Sequence, residues 1–175
     1  MRELTGISAS PGITIGRVFL YIDDAFTVPR YDVKESELDR EYERFQEALE
    51  KATQEIIDLK EQTSSQMEGE ENKFLDAHVL MIQDPEFADQ IKRNLAEKKE
   101  NVEWILHQTI EGVISKLSSS QDTYISERSI DIHDVSKRVL NHLMYRDRIS
   151  LADLETEVIL VTHNLLPSDA LAINS

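Results

Sequence analysis

Between Lys34 and about Ser64 the apolar positions Leu38, Tyr42, Phe45, Leu49, Ala52, Ile56 and Leu59 recur at intervals of 4, 3, 4, 3, 4 and 3, and charged residues fill the other faces. This a/d seam of about three heptads predicts one helix of roughly thirty residues, about 45 Å long, that needs a helical partner along its seam. Gln62 to Gly69 breaks it. From Glu70 to Phe87 the pattern changes: Phe74, Ala77 and Met81 mark one apolar line, Leu75, Val79 and Ile82 a second, and Leu80 falls between them. A helix this apolar is either buried on every side or packs on its own protein with one face and on a partner with the other. Two readings stay open: a core helix with an acidic rim, or a docking surface for a basic partner around His78, with Glu70, Glu71, Asp76, Asp84 and Glu86 about it.

Asp84-Pro85-Glu86 predicts a helix start, with Asp as cap, Pro at the first helical position and Glu in the positive end of the dipole. A short helix follows through Phe87, Ile91 and Leu95. Asn101 is the expected N-cap of the next, whose apolar residues Trp104, Ile105, Ile110, Val113, Ile114 and Leu117 face the bundle. Gly112 inside it costs about 1 kcal/mol relative to Ala, which suggests a neighbour or a partner close to the backbone. Ser118 to Asp122 is a break, and the last long helix carries Ile132, Val135, Val139, Leu140 and Leu143. Long helices with short connections predict an antiparallel bundle of helical hairpins.

At both ends the period shortens. Ser10-Pro11-Gly12 is a turn signal, and Ile13 to Ile22, rich in β-branched and aromatic residues, reads as a strand. Glu157 to Thr162 reads as a buried strand, and Asn164-Leu165-Leu166-Pro167-Ser168-Asp169 as a strand-to-helix turn. The predicted fold class is therefore mainly α: a helical subdomain over residues 31–146, inserted into a truncated α/β subdomain formed by residues 1–30 and 147–175.

Composition narrows the function. Thirty-four acidic against nineteen basic residues give a formal charge of −15. A phosphate backbone would be repelled, so nucleic acid is not an expected partner, whereas a cationic protein would be steered in. With no cysteine there is no disulfide and no thiolate metal site or nucleophile. No stretch approaches a membrane span and the N-terminus lacks a signal-peptide core, so a cytoplasmic, soluble chain is expected. None of the five histidines has a Glu three residues before it or another His four away. There is no Walker loop, dinucleotide fingerprint or serine elbow. No catalytic constellation, metal or cofactor is expected in these residues; His163, after the last strand, is the best-placed lone histidine, and a surface or loop position explains it better.

Several segments in order resemble one family. Gly6-Ile7-Ser8-Ala9-Ser10-Pro11-Gly12-Ile13-Thr14-Ile15-Gly16, Asp76-Ala77-His78-Val79-Leu80-Met81-Ile82-Gln83-Asp84, Tyr124-Ile125-Ser126-Glu127-Arg128, Asp131-Ile132-His133-Asp134-Val135-x-Lys137-Arg138, and Glu157-Val158-Ile159-Leu160-Val161 with Leu165-x-Pro167-Ser168-Asp169 are similar to the amino-terminal half of enzyme I of the bacterial sugar phosphotransferase system. The resemblance implies a phosphoenolpyruvate-protein phosphotransferase, in which a helical subdomain docks the phosphocarrier protein HPr and a histidine of the α/β subdomain relays phosphate to it. Carried over by position, the docking surface would comprise Glu70, Asp76, His78, Leu80, Met81, Glu86, Phe87, Gly112, Leu117, Tyr124, Ile125 and Arg128.

Two departures qualify what the resemblance implies. The family's Gly-Gly-x-Thr-Ser-His motif, with the phosphorylated histidine, would follow Ser175. The expectation is thus a catalytically inactive, monomeric fragment of a parent enzyme that is itself a magnesium-dependent homodimer. Leu166 stands where the family has Thr, so either Ser168 caps the last helix or its N-terminus frays. Alternatives are a nitrogen-type paralogue of the same family, or an acidic helical adaptor whose heptad seam pairs with a second copy.

Overall fold

A computed structural model of the chain describes residues 12–21, 27–63, 70–118, 123–145, 157–162 and 165–173. The order is β1 (Val18–Tyr21), a 3-10 turn (Glu35–Glu37), α1 (Leu38–Thr63), α2 (Glu70–Ile82), α3 (Pro85–Lys98), α4 (Val102–Ser118), α5 (Thr123–Leu143), β2 (Ile159–Thr162) and α6 (Pro167–Ile173). The molecule is mainly helical, with a small two-stranded sheet. The segments Gly6 to Pro11, 64–69 and Ser119 to Asp122, and His163 with Asn164, lie outside the described residues.

The seam of α1 forms the axis of the core. Phe45, Ala52 and Ile56 are fully buried, Leu59 nearly so, and Leu38, Tyr42 and Leu49 pack on them from the edges. The partners along this seam are Leu75 and Ile82 of α2, Ile91 and Leu95 of α3, Val102, Ile105 and Leu106 of α4, and Val135, Val139 and Leu143 of α5. The heptads therefore act within the chain, and no free seam remains to pair α1 with a second copy.

The helix starts follow the sequence in one case and depart from it in two. Asp84 Oδ1 accepts from Glu86 N at 2.9 Å with Pro85 at the first helical position, as predicted. At α4, Asn101 holds the N-cap position only with its backbone carbonyl, which accepts from Trp104 N and Ile105 N. Its buried side chain accepts from Tyr31 N at 3.0 Å and donates to Pro29 O at 3.0 Å and to Glu103 Oε2 at 2.9 Å. An extended segment crosses this end of the bundle, with a bridge between Asp32 and Glu100, and it occupies the asparagine. The cap comes instead from α1: Glu41 Oε2 accepts from Val102 N at 3.0 Å.

The departure at α6 answers the question raised by Leu166. Asp134 of α5 accepts from Ser168 N at 3.0 Å and from Ser168 Oγ at 2.7 Å, both bonds buried. A carboxylate from another helix thus satisfies the end that a threonine hydroxyl would cap. Tyr21 Oη donates to Asp169 Oδ2 at 3.3 Å and ties β1 to the same helix.

β1 and β2 pair in parallel, Val18 opposite Ile159 and Tyr21 opposite Thr162. Of the strand expected over Ile13 to Ile22, Ile13 to Arg17 fall outside β1, Ile22 lies outside the described residues, and Val18 to Tyr21 form the strand. Its described partner is itself only four residues long, and Ile13 and Ile15, beyond the ladder, are 98% and 97% exposed. Parallel neighbours require a crossover, and here it contains α1 to α5.

Candidate docking surface

The surface in question is built where α2 turns into α3 and faces α4 and α5. On α2, Leu75, His78 and Ile82 form the inward line, each at most 2% exposed. Phe74, Val79 and Met81 are partly buried against the core, and Leu80 projects outward, 69% exposed. This is a core helix that also carries an apolar outer residue.

His78 is the correction. At 1% exposure it does not belong to the outer surface, because positions 75, 78 and 82 share one face and that face is turned to the core. Its ring lies 4.1 Å from that of Phe74, and Nε2 is 4.0 Å from Asp131 Oδ1 without a hydrogen-bond partner. Burial pushes its pKa down; Asp134 and Asp131 pull it back up, while Arg138 and Arg128 add to the depression. Burial raises the Asp131 carboxyl, against the opposing pull of His78 and Arg128.

Beside Leu80 an open apolar groove of about 220 Å³ runs between the helices. Met81 and Phe87 form one wall, Ile110 and Val113 of α4 the second, and Ile132, Val135 and Val139 of α5 the third, with Asp84 at the rim. Phe87 is held by an edge contact with the buried Phe45, ring centroids 6.0 Å apart. Glu86 is paired with Arg93 at 2.6 Å and remains largely in solvent, and Asp76 is paired with Lys60. Gly112 is exposed, and a side chain added there would meet nothing within 4 Å among the described residues. No described residue is therefore the close neighbour that the sequence suggested. Leu117 is half-buried near the end of α4, and Arg128 Nη1 lies 3.5 Å from Asp131 Oδ2. Tyr124 and Ile125 lie in the first turn of α5 and Glu70 begins α2, but their side chains are outside the described residues.

Of the expected set, Met81 and Phe87 line the groove, and Leu80, Glu86 and Gly112 are exposed at positions next in sequence to the lining residues Met81, Phe87 and Val113. The α4 and α5 walls were absent from that set. Their residues carry the same periodic signal as core positions, and only the spacing left by the α2 to α3 turn converts them into an open groove. The exposure of Val113, 37% and next to Gly112, is the trace of this.

Among the described residues there is no group of three or more His, Cys, Asp or Glu that could hold a metal ion. No described helix is long and apolar enough to cross a membrane.

The family model described as "PEP-utilising enzyme, N-terminal" matches residues 5–128. Phosphoenolpyruvate-protein phosphotransferase of Listeria innocua is 32% identical over 173 residues, 99% of this chain and 30% of that protein. The Bacillus subtilis protein of the same description is 32% identical over 174 residues, again 99% and 30%. The chain thus spans about 30% of the length of the curated relatives it matches. A solution NMR structure of enzyme I (nEIt) superposes with a TM-score of 0.80 at 31% identity, covering 93% of this chain and 66% of that one. A structure described as the N-terminal domain of Enzyme 1, Nitrogen, at 21% identity and a TM-score of 0.66 over 93% and 65%, shares the fold.

Proposed function

Because the chain belongs to the N-terminal family of PEP-utilising enzymes, we propose that it is the phosphocarrier-docking part of a phosphoenolpyruvate-protein phosphotransferase serving sugar uptake, and that its partner is an HPr-type protein. The observation that carries this reading is an open apolar groove with Asp84 in its lining, next to the exposed Leu80, on a chain of formal charge −15. An apolar patch rimmed by charge suits a protein partner, and the acidic field suits a basic one. In this reading Leu80, Met81, Phe87 and Val113 supply contact area. Glu86 and Asp76 orient the approach, and Gly112 leaves room for the partner's backbone. Residues 31–146 act as the docking unit, while residues 1–30 and 147–175 form the α/β unit, a division supported by the pairing of β2 with β1. The sequence contains no Gly-Gly-x-Thr-Ser-His motif, so docking, and not the chemical step, is assigned to these residues.

The test is calorimetric titration with an HPr-type phosphocarrier at low and moderate salt. One-to-one binding is expected, weakened roughly tenfold by Met81→Ala through loss of groove contact and weakened by Glu86→Lys mainly through a slower association rate. Both variants binding like the wild-type chain would overturn the assignment of the surface.

A further inference from the structure

On α5, next to Ile132 of the groove wall, one carboxylate faces two side chains. Asp131 of α5 has Oδ2 3.5 Å from Arg128 Nη1 and Oδ1 4.0 Å from His78 Nε2. The Arg128 side chain is 41% exposed and stands one helical turn before Ile132 of the groove wall, whereas His78 is 1% exposed with its Nε2 unbonded. Among the described residues, the charges that face this imidazole come from α5: Asp134 and Asp131, opposed by Arg138 and Arg128. Asp134 is engaged with Ser168 of α6, and Arg138 with Glu55 of α1. The other helix packed on α2, α1, places Lys60 against Asp76. Within this group it is Asp131 whose two oxygens face two different cationic candidates.

We propose that Asp131 makes docking proton-linked: when an oxyanion of the docked partner draws Arg128 away, Asp131 is left to His78, whose Nε2 takes one proton from solvent and completes the ion pair. This rests on the docking reading above. The charges balance: Arg128 exchanges its contact with Asp131 for one with the oxyanion, whatever else it touches, and the imidazole becomes the counter-ion that Asp131 has lost. By linkage, whatever pairs with Arg128 favours protonated His78, and protonation of His78 favours the release of Arg128. Burial supports the device by keeping the imidazole neutral until that exchange.

The coupling is read first without a partner, from the His78 ring signals in NMR pH titrations of the whole chain. Arg128→Met should raise the His78 midpoint by about one unit. In an Asp131→Asn background the same change should shrink several-fold, since no carboxylate remains to hand over. No rise, or a rise undiminished in that background, would overturn the proposal, the latter by showing direct repulsion between Arg128 and His78. With the phosphocarrier, calorimetry near pH 6 in buffers of different ionisation enthalpy should show proton uptake approaching one per complex in the wild-type chain, lost in His78→Gln. Binding without uptake, or uptake unchanged by His78→Gln, overturns it as well. Absence of any binding removes the docking reading and proton-linked docking with it, while the variant titrations still report whether Asp131 is shared.

Discussion

Glu41 satisfies the first amide of α4 with one oxygen and the Arg44 guanidinium with the other, and Arg44 in turn bonds Glu103 and the Leu143 carbonyl at the end of α5. One carboxylate on α1 thereby fixes how three helices meet. Glu41→Ala should cost about 1–3 kcal/mol, because it leaves a buried amide unsatisfied, and chemical denaturation would measure it. The sequence showed a good capping asparagine at 101 but not the extended segment that claims its side chain. His78 makes the same point, since its place among apolar residues fitted an inner or an outer face equally well. Its burial also sets a pH dependence. In the unfolded chain its pKa is about 6.5, and in the fold it is lower. Above about 6.5 the ring is neutral in both states; as pH falls toward the folded value the unfolded chain takes the proton first, so stability is lost across that window. Asp131, raised by burial, acts in the opposite sense at lower pH. Denaturation midpoints should therefore fall more steeply from pH 7 to pH 5 in the wild-type chain than in His78→Gln.

Among the elements, α4 offers the cleanest separation of stability from binding. Gly112 is helical and exposed, with open space where a side chain would stand. Gly112→Ala should thus stabilise the chain by about 0.5–1 kcal/mol, measured by thermal unfolding, while weakening phosphocarrier binding if a partner's backbone approaches there. Opposite signs from one methyl group would be hard to obtain from a purely structural glycine. The last helix gives a second case. α6 has seven residues and is held at its start by Asp134, so Asp134→Ala should loosen it by about 1–3 kcal/mol, seen as faster amide exchange over residues 167–173. The long helices were legible because a period sustained over several turns is hard to mistake for anything else. The first strand was overextended because β-branched composition states a preference, whereas a ladder needs a partner of equal length, and β2 supplies only four residues.

On the scale of the whole molecule, the succession of strand, helical block, strand and helix could be read from the order of the periods alone. The groove could not, since it is the space between helices, and Ile110, Ile132, Val135 and Val139 would carry the same pattern if that space were closed. The acidic excess belongs to this scale too: phosphocarrier association should slow as salt rises from about 50 to 500 mM, with a much smaller change in dissociation rate, as stopped-flow mixing would reveal. The pairing of Val18 with Ile159 has one more consequence, in the order of events during folding. These strands have no turn to bring them together. Their ends approach only once α1 to α5 have packed and shortened the path between them, so the sheet should be among the last parts to assemble and the first to open.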